Sequence, residues 1–151
     1  MTKMQERDGV NRKKDTAMLQ SELKHAKSAE EFVQANQEEL NVQSLADYLN
    51  ELLIRYDLEK SNVNKRSGLA GNYLYQVFNG AKCPGRDKLI QIALGFPLTL
   101  AETQYLLRLG GHSELYVRDS RDAFLMFAIE KQYEIDKVNE LLYQNKKELL
   151  D

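Results

Sequence analysis

The chain has 151 residues, of which 42% are hydrophobic and 29% charged, with 8 Gly and only 2 Pro. These values are typical of one ordinary folded domain with an appendage, and they exclude a low-complexity chain. The net charge of −2 gives no sign of a strongly basic protein, and the single cysteine, Cys83, excludes an internal disulfide and disfavours a cysteine-built metal site.

Residues 1–43 are predicted to form an N-terminal arm followed by a helical extension. The first 15 residues are charged, lack periodicity and contain no secretory signal, which favours a cytoplasmic protein. The rest has a helical pattern with a thin apolar stripe, and Ser28 with Glu31 has the spacing of a capping box. The extension is interpreted as a surface helix packed on the main domain, a tail ordered by a partner, or a dimerisation arm.

Residues 44–111 are predicted to form a domain of five short helices. Apolar residues recur at helical spacing in these helices, except in the short segment Glu59–Ser67. Each helix has a start or stop signal such as a capping Ser or Thr, a Gly or a Pro. The predicted helices are Ser44–Tyr56, Glu59–Ser67, Gly71–Asn79, a fourth that follows Pro84 and ends at Pro97, and Thr99–Leu109.

Residues 112–151 are predicted to form a pair of helices, Ser120–Tyr133 and Ile135–Leu150. The first contains the longest apolar run of the chain, the seven residues 123–129, which is far shorter than the roughly 20 that a membrane span needs. This run is apolar nearly all round, which favours burial either against a helix of the same chain or in a homodimer. No segment alternates at period two, so the fold class is predicted to be all-α.

The charges are distributed unevenly along the chain. Between Leu58 and Ile92 there are six positive and two negative residues, a net charge of +4, whereas the remainder carries −6. Cations clustered around one segment suit the phosphate backbone of a nucleic acid. A solvated surface face with no ligand is the alternative interpretation of this basic centre.

The predicted helix Gly71–Asn79 has two chemically different faces. Its inward face is apolar and holds Leu74, Val77 and Phe78. Its outward face holds Asn72, Tyr73 and Gln76. Asn and Gln side chains can pair bidentately with adenine in the major groove of DNA, so this face is a candidate for reading bases.

The chain resembles the phage-repressor-like (XRE-type) family of helix-turn-helix regulators. The resemblance runs through Ser44–Phe96, with Ser67-Gly68-Leu69 at the turn and Asn79-Gly80 after the second helix of the motif. More narrowly, the chain resembles small regulators from Gram-positive bacteria over about Ser44–Leu142. The residues that carry this narrower resemblance are Tyr73–Gly80, Pro84, Arg86-Asp87, Leu115-Tyr116 and Arg121-Asp122.

The resemblance implies a repressor that binds double-stranded DNA as a homodimer. Gly71–Asn79 would lie in the major groove, with Asn72, Tyr73 and Gln76 at the bases, and two half-sites would lie about 34 Å apart. Lys60 falls where that family places a backbone-contacting residue, and Asn79 falls where the side chain contacts a phosphate or braces the first helix of the motif. The flanking cations extend this set. The predicted phosphate-contacting residues are Lys60, Lys65, Arg66, Asn79, Lys82, Arg86 and Lys88.

A protein-interaction module that keeps the helix-turn-helix fold but binds a regulatory protein is the alternative function. The acidic flanks motivate it, together with Gly71, which offers no side chain to the groove, and Asn64, which occupies the place of a small Ala. An enzyme is not expected, because the sequence has no Gly-rich phosphate loop, nucleophile elbow or His-Glu-x-x-His pair. No cofactor or metal is predicted, since His25 and His112 are isolated.

Overall fold

The structure is a computed structural model that describes residues 14–40 and 43–151. These residues form ten helices and no strand, which confirms the predicted all-α class for them. The chain divides into two compact units, Met1–Gln43 (unit 1) and Ser44–Asp151 (unit 2). Most of the predicted N-terminal arm, residues 1–13, lies outside the described residues.

Unit 1 contains three helices: α1 Thr16–His25, α2 Ala29–Ala35 and α3 Gln37–Leu40. Asp15 and Ser28 cap α1 and α2, because each side chain accepts a hydrogen bond from a backbone N–H three residues ahead. Asp15 is thus the N-cap residue of α1, at the point where the predicted arm meets the predicted helical extension.

A polar cluster joins the helices of unit 1. The buried Asn36 side chain accepts a hydrogen bond from Lys14 Nζ at 2.8 Å and donates to Glu22 at 3.1 Å. Phe32 is the one buried apolar side chain among the described residues of this unit. Unit 1 therefore has little apolar core, as the thin apolar stripe in its sequence predicted.

Unit 2 contains seven helices: α4 Leu45–Tyr56, α5 Lys60–Ser67, α6 Tyr73–Phe78, α7 Arg86–Gly95, α8 Leu100–Leu109, α9 Ser120–Glu130 and α10 Ile135–Gln144. Three of them are shorter than predicted. Helix α6 begins after Gly71, whose φ of +62° is incompatible with a right-handed helix, so Gly71 precedes the helix rather than weakening it. Gln132 and Lys146 have positive φ after α9 and α10, which end at Glu130 and Gln144.

The start and stop signals of unit 2 are confirmed at the other positions. Ser44 caps α4 by accepting a hydrogen bond from the Asp47 backbone N–H at 3.1 Å. Thr99 and Glu102 form a reciprocal capping box at the start of α8. Gly68 ends α5 in the left-handed conformation, with φ +74°.

Helix α7 is the central element of the unit 2 core. Each of its residues from Leu89 to Gly95 is buried. A Cβ added at Gly95 would lie only 2.8 Å from the Val63 carbonyl oxygen, so α7 approaches the α5 backbone as closely as glycine allows. This contact fixes the position of α5, and with it the turn that leads into α6.

Two Arg–Asp pairs join the start of α7 to the start of α9. Arg86 makes two hydrogen bonds to Asp122, at 3.0 and 2.9 Å, and Arg121 makes two to Asp87, at 3.1 and 3.0 Å. We call these four residues the Arg–Asp clasp. The clasp is one of the contacts that join residues 112–151 to the helices before them, and Leu125, Val138 and Leu142 also lie in the core of unit 2.

A buried carboxylate joins α4 to α8. Glu102 accepts hydrogen bonds from Arg55, at 3.0 Å, and from the Tyr56 hydroxyl. Burial disfavours the charged form of Glu102, but the hydrogen bonds from Tyr56, the Thr99 backbone and Arg55 outweigh burial and hold its pKa below the ordinary value. The capping residue of α8 therefore also fixes the packing of α4.

None of the helices in residues 14–40 and 43–151 is long and apolar enough to cross a membrane.

Candidate nucleic-acid interface

Helices α5 and α6 are joined by a short turn in which two positions have a backbone conformation that favours glycine. Gly68 and Gly71 have φ of +74° and +62°, in the region that L side chains rarely adopt. Between them, Leu69 is buried and anchors the bend to the core, as the sequence predicted. The turn thus presents the start of α6 at a fixed place on the surface of unit 2.

The inner face of α6 is fully used by the core. Leu74, Val77 and Phe78 are each at most 2% exposed. Successive residues of a helix are rotated by about 100°, so the opposite side of α6 and its caps holds Asn72, Gln76 and Asn79. One short helix therefore carries an apolar face and a separate amide-rich face.

Asn72 and Gln76 are not committed to other groups of the described chain. Asn72 is exposed, Gln76 is half-buried, and neither side chain makes a hydrogen bond within residues 14–40 and 43–151. Asn72 is the N-cap residue of α6 by position, yet its side chain accepts no capping bond. Both amides are therefore available to an external hydrogen-bonding partner.

The two tyrosines of α6 flank this amide face on opposite sides. Tyr73, predicted to face outward, is half-buried and packs partly against the core. Tyr75, which was not among the residues predicted to face outward, is 37% exposed. Because Tyr75 is more exposed than Tyr73, it is at least as good a candidate for contact with a ligand. The sequence alone did not indicate this, since a tyrosine in an amphipathic helix often packs against the core.

Asn79 and Asn50 hold the end of α6 in place. Asn79 Oδ1 accepts a hydrogen bond from the Ala81 backbone N–H at 2.9 Å, so this side chain supports its own turn. Asn50 of α4 donates to the Phe78 carbonyl at 3.0 Å and to the Ala46 carbonyl at 2.8 Å. Sequence reasoning missed Asn50, because a polar residue inside a helical pattern gives no sign of a distant partner.

Two of the predicted phosphate-contacting cations stand apart from any carboxylate partner. Lys60 begins α5, and its Nζ lies 5.8 Å from the centre of the Phe78 ring at the end of α6. Lys82 is exposed in the loop that follows α6. Neither lysine forms an ion pair within the part of the chain that the structure describes. Both therefore offer their charge near α6.

Lys65 and Arg66 have acidic neighbours. Both line a small groove of about 190 Å³ that is also lined by Glu134 and Asp136 at the start of α10. The two carboxylates reduce the positive potential that the two cations present to an anion. This arrangement was hidden in the sequence, where the acidic residues lie some 70 positions further along.

Arg86 and Lys88 are engaged within the chain. Arg86 donates to Asp122 and to the carbonyl oxygens of Ser113 and Glu114, which uses four of its five N–H groups. Lys88 Nζ donates to the Asp151 carbonyl. We therefore leave both residues out of the contact set proposed below, although the sequence placed them at phosphates.

The described residues contain no group of three or more His, Cys, Asp or Glu side chains that could hold a metal ion. Asn64 is half-buried, and its Oδ1 is buried without a hydrogen-bond partner in the described part of the chain.

No family model, curated protein or solved structure matches this chain.

Proposed function

We propose that unit 2 is a helix-turn-helix regulator that binds double-stranded DNA sequence-specifically, as a repressor. Helix α6 would enter the major groove, with Asn72, Gln76 and the flanking Tyr73 and Tyr75 directed at base edges. The observation that carries the proposal is a pair of amides, the exposed Asn72 and the half-buried Gln76, that have no hydrogen-bond partner among the described residues. They lie on a helix whose other face is fully buried. Such amides pair bidentately with adenine.

The backbone contacts are proposed to come from the two ends of this motif. Lys60 at the start of α5 and Lys82 after α6 would each neutralise a phosphate, and Asn79 would fix the turn between them. Phosphate contacts of this kind position the recognition helix without reading the sequence. The free charge of these two lysines supports this assignment, since neither forms an ion pair within the described residues.

Two copies of the chain are proposed to read two half-sites one helical turn of DNA apart. Recognition by a six-residue helix covers few base pairs, so a single copy would select its site poorly. A two-fold symmetric pair doubles the number of bases read and predicts a palindromic target.

The protein-interaction module is the second candidate function, and specific observations favour it. Glu134 and Asp136 lie beside Lys65 and Arg66, and Arg86 is engaged by the Arg–Asp clasp, so three of the predicted DNA-facing cations are partly or fully compensated. A helical partner protein would use the same amide face but would not depend on counterion release.

The salt dependence of binding to a fluorescently labelled random-sequence duplex separates the two candidates. Each phosphate neutralised contributes about −0.9 to the slope of log K against log salt concentration. We expect Lys60→Ala and Lys82→Ala each to reduce the magnitude of this slope by about 1, and Lys137→Ala, on α10, to leave it unchanged. A slope near zero for the unmodified protein would favour the interaction module instead.

A further inference from the structure

An apolar groove lies on the surface of unit 2 beside α9. Its lining consists of Ser120, Ala123, Phe124, Phe127 and Leu141, and its volume is about 430 Å³. Four of these residues recur on α9 at the i, i+3, i+4, i+7 spacing of one helix face. Leu125, Ala128 and Ile129 are buried on the other side of α9. Among the groove residues, Phe124 and Leu141 are half-buried and pack partly against the core, whereas Phe127 is left exposed.

The Phe127 side chain is the most exposed part of the groove and is held in a defined orientation. It is 48% exposed, its ring lies edge-on to Tyr133 with centroids 6.0 Å apart, and Lys131 Nζ lies 5.6 Å from its centroid. A large aromatic side chain fixed by its neighbours loses little conformational freedom on binding. Tyr116 and Val117, in the loop before α9, are also exposed.

We propose that this groove binds the same groove of a second copy of the chain, with the two α9 helices antiparallel about a two-fold axis. The residue sizes favour this occupant: an axis near Leu125 sets Phe127 of each copy against the small Ala123 of the other. The charges favour it too, because the same register sets Lys131 opposite Asp119 and Glu130 opposite Ser120. Every contact then occurs twice, as an isologous interface requires.

The helix dipoles agree with this arrangement. Asp119 caps the N-terminus of α9 and Lys131 caps its C-terminus, so an antiparallel pair places opposite charges and opposite dipole ends side by side at both ends of the interface. A parallel pairing would instead set Lys131 against Lys131. The ends of α9 therefore select one orientation.

The size of the groove predicts a weak dimer. Helix α9 has 11 residues and is about 15 Å long. A helix pair of that length buries less than the roughly 800 Å² per partner of a standard stable interface. We expect dissociation constants on the order of micromolar, so that DNA carrying two half-sites would strengthen the association.

The inference deepens the proposed function, since it names the partner and the surface that join two DNA-reading units. The link between this dimer and a palindromic DNA target rests on the proposed function. The formation of the dimer does not depend on DNA binding. Self-association measured without DNA is therefore the appropriate test.

Sedimentation equilibrium of the full chain, over a concentration range that spans the micromolar region, measures this self-association. Phe127→Glu places a charge in the groove, and we expect it to weaken dimerisation at least tenfold. Tyr143→Glu is the matched control, because Tyr143 is 75% exposed and does not line the groove. Far-ultraviolet circular dichroism verifies that both variants remain folded.

A double-mutant cycle between Asp119→Asn and Lys131→Gln tests the register. Asn keeps the capping hydrogen bond that Asp119 accepts from the Asp122 backbone N–H, so the fold of α9 is preserved. Within one chain the two residues are a helix length apart, so a coupling in the dissociation constant reports a contact between copies. Additive effects would contradict the antiparallel register.

The outcomes separate this inference from the proposed function. A protein that stays monomeric at every concentration, or a dimer that Phe127→Glu leaves intact, overturns the inference, and a monomer that still selects a single DNA half-site leaves the proposed function standing. A groove-dependent dimer that selects no DNA sequence supports the inference and overturns the proposed function.

Discussion

The two ion pairs of the Arg–Asp clasp differ in burial, so each is a control for the other in a test of how burial affects an ion pair's contribution to stability. Both pairs are bidentate and join the same two helices, but the Asp122 side chain is 8% exposed and the Asp87 side chain 36%. We expect Asp122→Ala to lower the free energy of unfolding much more than Asp87→Ala does.

The magnitudes follow from what each substitution leaves behind. Asp122→Ala removes two charge-assisted hydrogen bonds from Arg86 and one from the Tyr116 backbone N–H. Removing one partner of a buried pair costs about 3–5 kcal/mol. Because Arg86 keeps 25% exposure, water solvates part of its unpaired charge, and we expect about 3 kcal/mol. Asp87→Ala breaks a pair whose carboxylate is 36% exposed, and the Arg121 that it leaves behind keeps its hydrogen bond to the Glu148 carbonyl. We therefore expect a smaller loss of about 1 kcal/mol, the upper end of the range for solvent-accessible pairs.

The pH dependence gives an independent check on the same residue. Burial disfavours the charged form of Asp122, but its hydrogen bonds with Arg86 and the Tyr116 backbone outweigh burial and hold its pKa below the model-peptide value of 3.8. The stabilisation is therefore present above that value and is lost as the pH falls through the lower pKa of the folded state. The difference between wild type and Asp122→Ala should shrink as the pH falls below 3.8.

Urea denaturation of the full chain, followed by far-ultraviolet circular dichroism near neutral pH, measures both losses. The expected gap of about 2 kcal/mol between the variants corresponds to roughly a 30-fold difference in the unfolding constant. Equal losses for the two variants, or a larger loss for Asp87→Ala, would refute the argument that burial sets the strength of these pairs.

Three further substitutions test other parts of the account. Gln76→Ala should cost about 1–3 kcal/mol of DNA-binding free energy and relax the preference at one base position, which competition with single-base variants of the selected site measures; a uniform loss over all sequences would remove Gln76 from the reading face. Glu102→Gln should destabilise the fold by about 1.5–3 kcal/mol near neutral pH, since its hydrogen bonds lose their charge. This difference should shrink below pH 4.5, the ordinary pKa of a Glu side chain, because the pKa of Glu102 is lowered in the folded state. Chemical denaturation at several pH values checks both statements, and a pH-independent difference would count against the assigned charge. Gly68→Ala should cost about 1–2 kcal/mol because its φ is +74°, and a neutral effect on the thermal midpoint would show that the turn relaxes.

Local signals in the sequence were sufficient for the helices of unit 2 and for most of their starts, although α6 begins at Tyr73 rather than at Gly71. Ser44, Thr99 with Glu102, and Gly68 act through groups within three or four residues, so their roles can be read from spacing alone. Helix ends were less predictable. Residues that favour a helix continue to Leu150, but α10 ends at Gln144, because the backbone of Lys146 is in the left-handed conformation.

Long-range partners explain the revisions at the candidate site. Arg86 follows the loop after α6 and has the charge of a phosphate-contacting residue, yet Asp122, 36 positions later, engages it. Glu134 and Asp136 come beside Lys65 and Arg66 only through the packing of α10. Charge patterning along the chain cannot reveal such pairs, because the fold decides which distant residues meet.

The sequence predicted an outward face of Asn72, Tyr73 and Gln76; Asn72 is exposed and Gln76 half-buried, but Tyr75, which was not placed on that face, is more exposed than Tyr73. A helix of six residues exposes its flanks as well as its centre, so small differences in packing decide whether Tyr73 or Tyr75 points outward. That choice depends on the neighbouring helices and was not encoded in the local pattern.

Selection of binding sites from a random pool of double-stranded DNA, at low and at near-physiological salt, tests the central claim most directly. The account predicts enrichment of a palindrome whose half-sites lie about ten base pairs apart, and loss of that enrichment for the variant carrying both Asn72→Ala and Gln76→Ala. Absence of any enriched sequence, with only salt-sensitive background binding, would contradict the assignment of α6 as a recognition helix.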